Sequence, residues 1–279
     1  MCSEKSEYEK FPHVLALLAV LQLLITCPGC SVKEDRDLCP CTLEIDASGD
    51  VHAADSISIT LAGSAGKAAG FVLEDKMGER WRGAVPRGEM YLAAVYPSVT
   101  FTSPCLPDGR WLKIDEGRDC PRIWMSCCGV STMAEHVAVP LELHKSYCEL
   151  TMFIRDVSGG RFPYRLEIRG NVDGYMADGR PSEGKFTAPV EYVGEASSSG
   201  VLEARVSLPR QTDNALLLDI ISDDDRSRTF AVGNYIEASG YDWTSPDLKD
   251  ITLEIDYART DISFRIASWR FTAQFETVI

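Results

Sequence analysis

The sequence predicts an all-β protein built from β-sandwiches, and three observations support this. First, apolar residues alternate with polar ones in many short stretches, such as Ile57, Ile59 and Leu61, and a period of two is typical of half-buried strands. Second, turn-forming clusters separate these stretches, among them PDG at 107–109 and SDDD at 222–225. Third, we find no convincing amphipathic helix of three turns. About fourteen strands at this spacing exceed one ordinary sandwich, so we expect two.

Alternating stretches continue along the second half of the chain. Their apolar positions are Cys148, Leu150, Met152 and Ile154; Leu166 and Ile168; Leu202, Ala204, Val206 and Leu208; Leu253, Ile255 and Tyr257; and Ile262, Phe264 and Ile266. By contrast, we expect the stretch NVDGYMADGRPSEGKFTAPVEYV at 171–193 to be a long loop that leads into a strand.

We divide the chain near Lys145. VAVPLELH at 137–144 would close the first sandwich, and YCELTMFIRD at 147–156 would open the second. No Pro/Gly-rich linker separates them, so we expect sandwiches at 38–145 and 146–279 that pack directly against each other.

The first 29 residues have the pattern of an export signal. Residues 14–25 are twelve residues long and are interrupted only by Gln22. A membrane-spanning helix needs about 20 apolar residues. Twelve is the length of the apolar region of a signal peptide, and Pro28-Gly29 supplies a helix break and a small residue. A short buried helix is the alternative, but we expect residues 1–29 to be a signal peptide that is removed.

Cys30 follows the expected cut and resembles the cysteine of a bacterial lipobox. Such a cysteine carries lipid on its sulfur and on its new amino terminus, and each buried methylene contributes about 0.8 kcal/mol to membrane binding. Cys27, Cys30, Cys39 and Cys41 also imitate the thiolate pairs of a zinc ribbon. Because Cys27 would leave with the signal peptide, we expect instead lipidation of Cys30 and a lipidated polar tether at 30–37.

Charge and cysteine content limit the partners. The formal net charge is -14, which argues against nucleic acid, because phosphate binding requires cationic side chains. An exported chain reaches an oxidising compartment, so disulfides are expected, and the candidates are Cys39, Cys105, Cys120 and Cys148 with partners unknown. Cys41 is expected either to pack in the first strand or to pair.

No catalytic or cofactor motif stands out. His52, His136 and His144 lie outside the metal-binding patterns of histidine. GRPSEGKF at 179–186 resembles a phosphate loop, but it has Phe186 where such a loop needs Ser or Thr. The acidic turn at 223–225 supplies too few oxygens for tight calcium binding. We therefore predict a non-enzyme without cofactor, metal or small-molecule substrate.

Several longer segments resemble FimB-type fimbrial anchor subunits, which are minor fimbrillin lipoproteins of type V pili. They are CSVKEDRDLCPCTLEID at 30–46, GNVDGYMADGRPSEGKF at 170–186, GNYIEASGYDW at 233–243 and DLKDITLEIDYARTDISFRIASW at 247–269.

The resemblance implies two tandem transthyretin-like Greek-key sandwiches after a lipoprotein signal peptide. It also implies a surface-exposed protein held in the cell outer membrane by the lipid on Cys30. Such a protein would join the fimbrial shaft, made of fimbrillin, to the membrane and would limit the length of the fibre. The residues Lys33, Glu34 and Asp35 resemble the surface-export signal of these lipoproteins.

Shafts of this family assemble by strand complementation, in which an extended strand of one subunit completes the sheet of another. The last eleven residues here alternate in the manner of such a strand, with Trp269, Phe271, Ala273, Phe275 and Ile279 on one face. They are therefore a candidate donor strand. The alternative is that they form the last strand of the second sandwich.

A surface glycan-binding lipoprotein is the competing function. Five tryptophans could supply an aromatic platform for sugar: Trp81, Trp111, Trp124, Trp243 and Trp269. Single tryptophans in separate strands more often belong to a core.

Overall fold

The computed structural model describes residues 39–47, 56–63, 66–74, 80–97, 110–155, 164–176, 178–194, 201–222, 227–256, 262–266 and 274–277. The predictions for residues 1–38, which include the signal peptide, the lipidation of Cys30 and the whole of the tether, lie outside this part of the chain.

Among the described residues, nine strands precede the boundary predicted near Lys145. They are β1 (Cys41–Asp46), β2 (Ser56–Gly63), β3 (Gly66–Glu74), β4 (Arg80–Val85), β5 (Glu89–Tyr96), β6 (Arg110–Lys113), β7 (Trp124–Ser131), β8 (His136–Pro140) and β9 (His144–Lys145).

In the described part of the chain after that boundary, ten strands and one helix follow. They are β10 (Tyr147–Arg155), β11 (Arg165–Met176), β12 (Pro181–Pro189), β13 (Glu191–Tyr192), β14 (Val201–Pro209), β15 (Leu217–Ile221), β16 (Ser227–Phe230), α1 (Val232–Ala238), β17 (Ile251–Asp256), β18 (Ile262–Ile266) and β19 (Gln274–Thr277). The all-β prediction is confirmed. The short helix α1 was not predicted, because two turns are too few for a helical period to be recognised.

The first sandwich encloses a core between two sheets. One sheet has the order β4-β1-β8, and the other has the order β3-β2-β5-β7-β9. In β1, Cys41, Leu43 and Ile45 are buried and the residues between them are partly exposed, as the alternation of the sequence predicts. These side chains pack with buried residues of the opposite sheet, including Ile59 and Leu92.

The second sandwich has the same construction. Its sheets have the orders β13-β14-β10-β17-β18-β19 and β12-β11-β15-β16. Leu150 of β10 and Leu253 of β17 pack in one core with Ile168 of β11 and Leu218 of β15, and all four are fully buried. The predicted strand that contains Cys148 corresponds to β10.

One topology is used twice. β1 pairs antiparallel with β4 and parallel with β8, and β10 likewise pairs antiparallel with β14 and parallel with β17. The facing sheets also correspond, since β3-β2-β5-β7 matches β12-β11-β15-β16. In both halves the chain passes several times from one sheet to the other, as in Greek-key sandwiches. The hairpin β18–β19 lies beyond the repeated strands. The residue boundaries predicted for the two domains stay a prediction.

The long loop expected within 171–193 is wrong, because most of that stretch forms the hairpin of β11 and β12. The register between these strands shifts between Gly170 and Val172 and again between Val172 and Gly174. Such β-bulges interrupt the alternation by which a strand is recognised in a sequence. Phe186, which replaces the hydroxyl residue of a phosphate loop, is buried in the core.

The segment at 110–123 connects the two halves and is called the crossing arm below. It follows β5 in the sequence, but its strand β6 pairs antiparallel with β11 of the second sandwich. Further along, the Gly117 amide donates to the Thr187 carbonyl at 2.8 Å, and the Cys120 amide donates to the Ser207 carbonyl at 2.9 Å. The arm then returns to the first sandwich at β7.

Candidate functional site

The C-terminal hairpin forms one edge of the second sandwich. β18 pairs with β17, and β19 pairs with β18 so that Phe275 lies opposite Phe264. β19 is the last strand in the order of this sheet. An outermost strand can leave its sheet without breaking any other strand pair, which is the property that a donated strand needs.

Of the five candidate donor residues, one lies in the part of the chain that the structure describes. Phe275 lies in β19, where it pairs within the chain. Trp269, Phe271, Ala273 and Ile279 lie outside the described residues. Donation of this strand to another subunit therefore stays a prediction, as does its alternative as the last strand of the second sandwich.

The first sandwich has a different edge at β8. The Thr42 amide donates to the Glu135 carbonyl, and the Leu141 amide donates to the Asp46 carbonyl, both at 2.8 Å. The odd-numbered residues of β8 therefore form the backbone hydrogen bonds to β1. The backbone groups of His136, Ala138 and Pro140 are directed to the opposite side of the strand. Proline has no amide hydrogen, and its presence is typical of edge strands.

A buried ion pair fixes the crossing arm to the second sandwich. Arg110 Nη1 lies 2.8 Å from Asp173 Oδ2, and the side chain of Asp173 is only 7% exposed. The Ser182 hydroxyl donates to the other carboxylate oxygen at 3.1 Å. The Ile114 amide donates to the backbone carbonyl of Asp173 at 2.7 Å. Side-chain and backbone contacts therefore hold the arm at the same residue.

Two of the disulfide candidates are buried thiols in the second core. Burial raises the pKa of Cys148 to about 12, and burial also raises the pKa of Cys120 well above its ordinary value. Both side chains thus stay protonated at neutral pH and pack as small apolar groups. Both are free thiols in the structure.

The remaining cysteines considered for disulfides or for the first strand do not test the predicted pairing. Cys39 is exposed, Cys41 is buried in β1, and Cys105 lies outside the described part of the chain. Disulfides at the four candidate positions stay a prediction. The group of three or more metal-ligating side chains that a metal site requires does not occur among the residues described.

A polar cleft of about 800 Å³ lies where the second sandwich meets β7 and the 144–146 segment. Tyr241 and Trp243 are in its wall, with ring centroids 4.6 Å apart and planes at 65°. The aromatic platform predicted from the sequence includes Trp243. Neither Tyr241 nor the cleft could be predicted, because much of the lining comes from loops without a periodic pattern.

The five tryptophans do not come together as one platform in the described structure. Trp111 is buried in the second core, and Trp81 packs against the first. Trp124 contacts Tyr147 edge to face, with centroids 5.3 Å apart. Trp243 alone among these four lines the cleft. Trp269 lies outside the described residues.

A helix long and apolar enough to cross a membrane is absent from the residues that the structure describes.

Comparison with solved structures finds the same fold in proteins from Porphyromonas gingivalis and from two species of Bacteroides. The fimbrial anchor protein Mfa2 from Porphyromonas gingivalis matches with a TM-score of 0.61 and 11% identity, over 83% of this chain and 98% of that one. A candidate polysaccharide-binding protein from Bacteroides thetaiotaomicron matches with a TM-score of 0.63 and 10% identity, over 84% and 98%.

A candidate adhesin from Bacteroides ovatus matches with a TM-score of 0.58 and 11% identity, over 85% of this chain and 96% of that one. No family profile and no curated protein sequence matches the chain. The chain therefore shares the two-sandwich fold of the Mfa2 fimbrial anchor and of these Bacteroides proteins across nearly their whole length.

Proposed function

We propose that this protein is a non-enzymatic outer-membrane lipoprotein that anchors a type V fimbria at its base and limits its length. The observation that carries the proposal is the match to the Mfa2 fimbrial anchor, which extends over 98% of that protein. A match of this extent includes both sandwiches, so the likeness is not confined to a common β-sandwich module.

The amino terminus supplies the membrane attachment in this proposal. The lipid on Cys30 holds the protein in the outer membrane, and the polar tether at 30–37 separates the lipid from β1. The net charge of -14 opposes direct adhesion to anionic lipid. The acyl chains on Cys30 are then the attachment that keeps the protein at the cell surface.

The carboxyl terminus supplies the attachment to the shaft. The strand at 269–279 leaves the edge of the second sandwich and completes a sheet of the first fimbrillin subunit. Support comes from the edge position of β19 and from the alternation of the sequence. A donated strand adds a full set of backbone hydrogen bonds to its acceptor, which suits a junction under tension.

Deletion of residues 270–279 tests this connection. We expect the truncated protein to fold and to remain lipidated, because β18 keeps its pairing with β17. Membranes from these cells should retain less than about a tenth of the wild-type fimbrillin, because the strand contacts are removed as a unit. The measurement is immunoblotting of washed outer membranes.

Ala138→Pro in β8 is the matched control, because it alters the backbone of a different sheet edge. This variant should retain fimbrillin at the wild-type level. Full retention of fimbrillin by the 270–279 deletion would show that the shaft is held elsewhere.

A further inference from the structure

The polar cleft has the size and construction of a ligand site. Its volume of about 800 Å³ lies within the usual range of small-molecule sites, about 300–1,000 Å³. Its walls come from β7, the 144–146 segment, the turn before β12, the loop after β14, and the residues in and after α1. Sites formed where separate parts of a fold meet are a common location for ligands.

The aromatic wall is held in place by Arg210. Its guanidinium donates to the backbone carbonyls of Trp243, of Ser245 at 2.7 Å and of Pro246 at 3.0 Å. The backbone amide of Arg210 in turn donates at 2.9 Å to the hydroxyl of Tyr175, a fully buried residue. The loop that carries Tyr241 and Trp243 is therefore fixed to the core before any ligand arrives, which lowers the entropy cost of binding.

Planar polar groups also line the cleft, and those of Asn214, Glu237 and Asp242 are held by hydrogen bonds. Asn214 Nδ2 donates to Glu237 Oε2 at 2.8 Å. Asp242 Oδ1 accepts hydrogen bonds from the Thr244 amide and hydroxyl at 2.8 and 2.6 Å. A carboxylate or amide has two polar atoms in one plane, so one of these groups can bond to its neighbour and to a ligand hydroxyl.

The charge of the lining limits the class of ligand. Four carboxylates line the cleft, at Asp178, Asp213, Glu237 and Asp242, together with two arginines, at Arg180 and Arg210. Arg180 Nε is 2.6 Å from Asp178, and Arg210 is bonded to backbone carbonyls. The net negative lining repels phosphates and other anions, whereas its many acceptors suit a ligand rich in hydroxyl donors.

We infer that this cleft binds a neutral saccharide, with a sugar ring against Tyr241 and Trp243 and its hydroxyls bonded to Asn214, Glu237 and Asp242. The apolar face of a pyranose ring packs on an aromatic side chain, and its equatorial hydroxyls extend sideways to planar acceptors. Binding here does not depend on the anchoring role, because the cleft lies apart from Cys30 in the sequence and from β19 in the sheet order.

The test uses the mature chain and an immobilised panel of neutral tetrasaccharides of glucose, mannose, galactose and xylose, followed by calorimetry with the best binder. We expect at least one of them to bind. Trp243→Ala and Glu237→Ala should each raise the Kd about tenfold or more. Tyr91→Ala removes an aromatic side chain that is 50% exposed on the first sandwich, and it should leave the Kd unchanged.

Thermal melting of each variant separates loss of binding from loss of folding. Trp243 packs partly against the core, whereas Glu237 is exposed on α1, so Glu237→Ala carries the test if Trp243→Ala unfolds. Failure of all four tetrasaccharides to bind would overturn the inference. A wild-type Kd in both Trp243→Ala and Glu237→Ala would overturn it too. Tighter binding of oligolysine than of any tetrasaccharide would also overturn it, because it would indicate a cationic peptide ligand.

Discussion

At the scale of single residues, the Arg110–Asp173 ion pair is one of the contacts that hold the crossing arm to the second sandwich. The side chain of Asp173 is nearly inaccessible to solvent, and its carboxylate also accepts a hydrogen bond from the Ser182 hydroxyl. Loss of one partner of such a pair leaves a buried charge without compensation, whereas exposed ion pairs contribute little. Sequence alone could not identify this pair, because its members are 63 positions apart.

Asp173→Ala should lower the free energy of unfolding by about 3 kcal/mol, because Arg110 loses its buried partner. Urea denaturation followed by circular dichroism measures the change. Asp178→Ala is the matched control, since it breaks the Arg180–Asp178 pair, in which the Arg180 side chain is 76% exposed. The control should lose less than about 1 kcal/mol. Equal losses in the two variants would contradict the importance of the buried pair.

Asp219 makes stability depend on pH. Burial alone would raise the pKa of Asp219, but hydrogen bonds from Arg169 and Thr229 and the charge of Arg169 outweigh burial and lower that pKa. A carboxyl whose pKa is lowered on folding stabilises the protein above its ordinary pKa. That contribution is lost as the pH falls through the folded value.

Asp219→Asn should therefore lower the urea midpoint most at pH 7. The difference from wild type should shrink below about pH 4, where the wild-type carboxyl also becomes protonated. Glu142→Gln changes an exposed carboxylate and should leave the pH profile of the midpoint unchanged. If the difference in urea midpoint between the wild type and Asp219→Asn stays constant from pH 7 to pH 3, Asp219 does not have this role.

At the scale of elements, the regular strands could be predicted and the irregular ones could not. β1 and β10 have buried residues at every second position, so their alternation is visible in the sequence. β6 has the sequence RWLK with Trp111 and Leu112 both buried, because the arm contacts two surfaces at once. The bulges of β11 hide its period in the same way. The cleft belongs to loops, whose positions depend on contacts between distant segments such as Arg210 with the 243–246 turn.

Gly174 tests the docking of β6 on β11. A Cβ atom at Gly174 would lie 2.0 Å from the backbone carbonyl oxygen of Leu112, so a side chain there would force the two strands apart. Gly174→Ala should lower the free energy of unfolding by about 2 kcal/mol. It should also speed hydrogen exchange at the Ile114 amide, which bonds to Asp173.

Gly129→Ala in β7 is the control for this variant, because a Cβ there would meet nothing within 4 Å. It should leave both stability and the exchange of the Ile114 amide close to wild type. Wild-type exchange at Ile114 in Gly174→Ala would mean that β6 does not depend on this close approach.

At the scale of the whole molecule, the repeated topology and the crossing arm explain how the chain would carry tension. The proposed lipid attachment at Cys30 precedes the first sandwich in sequence, and the proposed shaft attachment follows the second. Force between them must pass from one sandwich to the other. The arm adds a strand of the first half to a sheet of the second, so the halves share a hydrogen-bonded ladder as well as the single covalent connection at 145–147.

Replacement of Cys30 by Ala tests the central proposal most directly. Cells that express Cys30→Ala should release their fimbriae, because the fibre would have lost its lipid attachment while its junction with the shaft remains intact. Electron microscopy of the culture supernatant should then show free fimbriae that carry this protein at one end. Fimbriae that stay bound to these cells in wild-type number and length would contradict the proposal that this chain is the anchor.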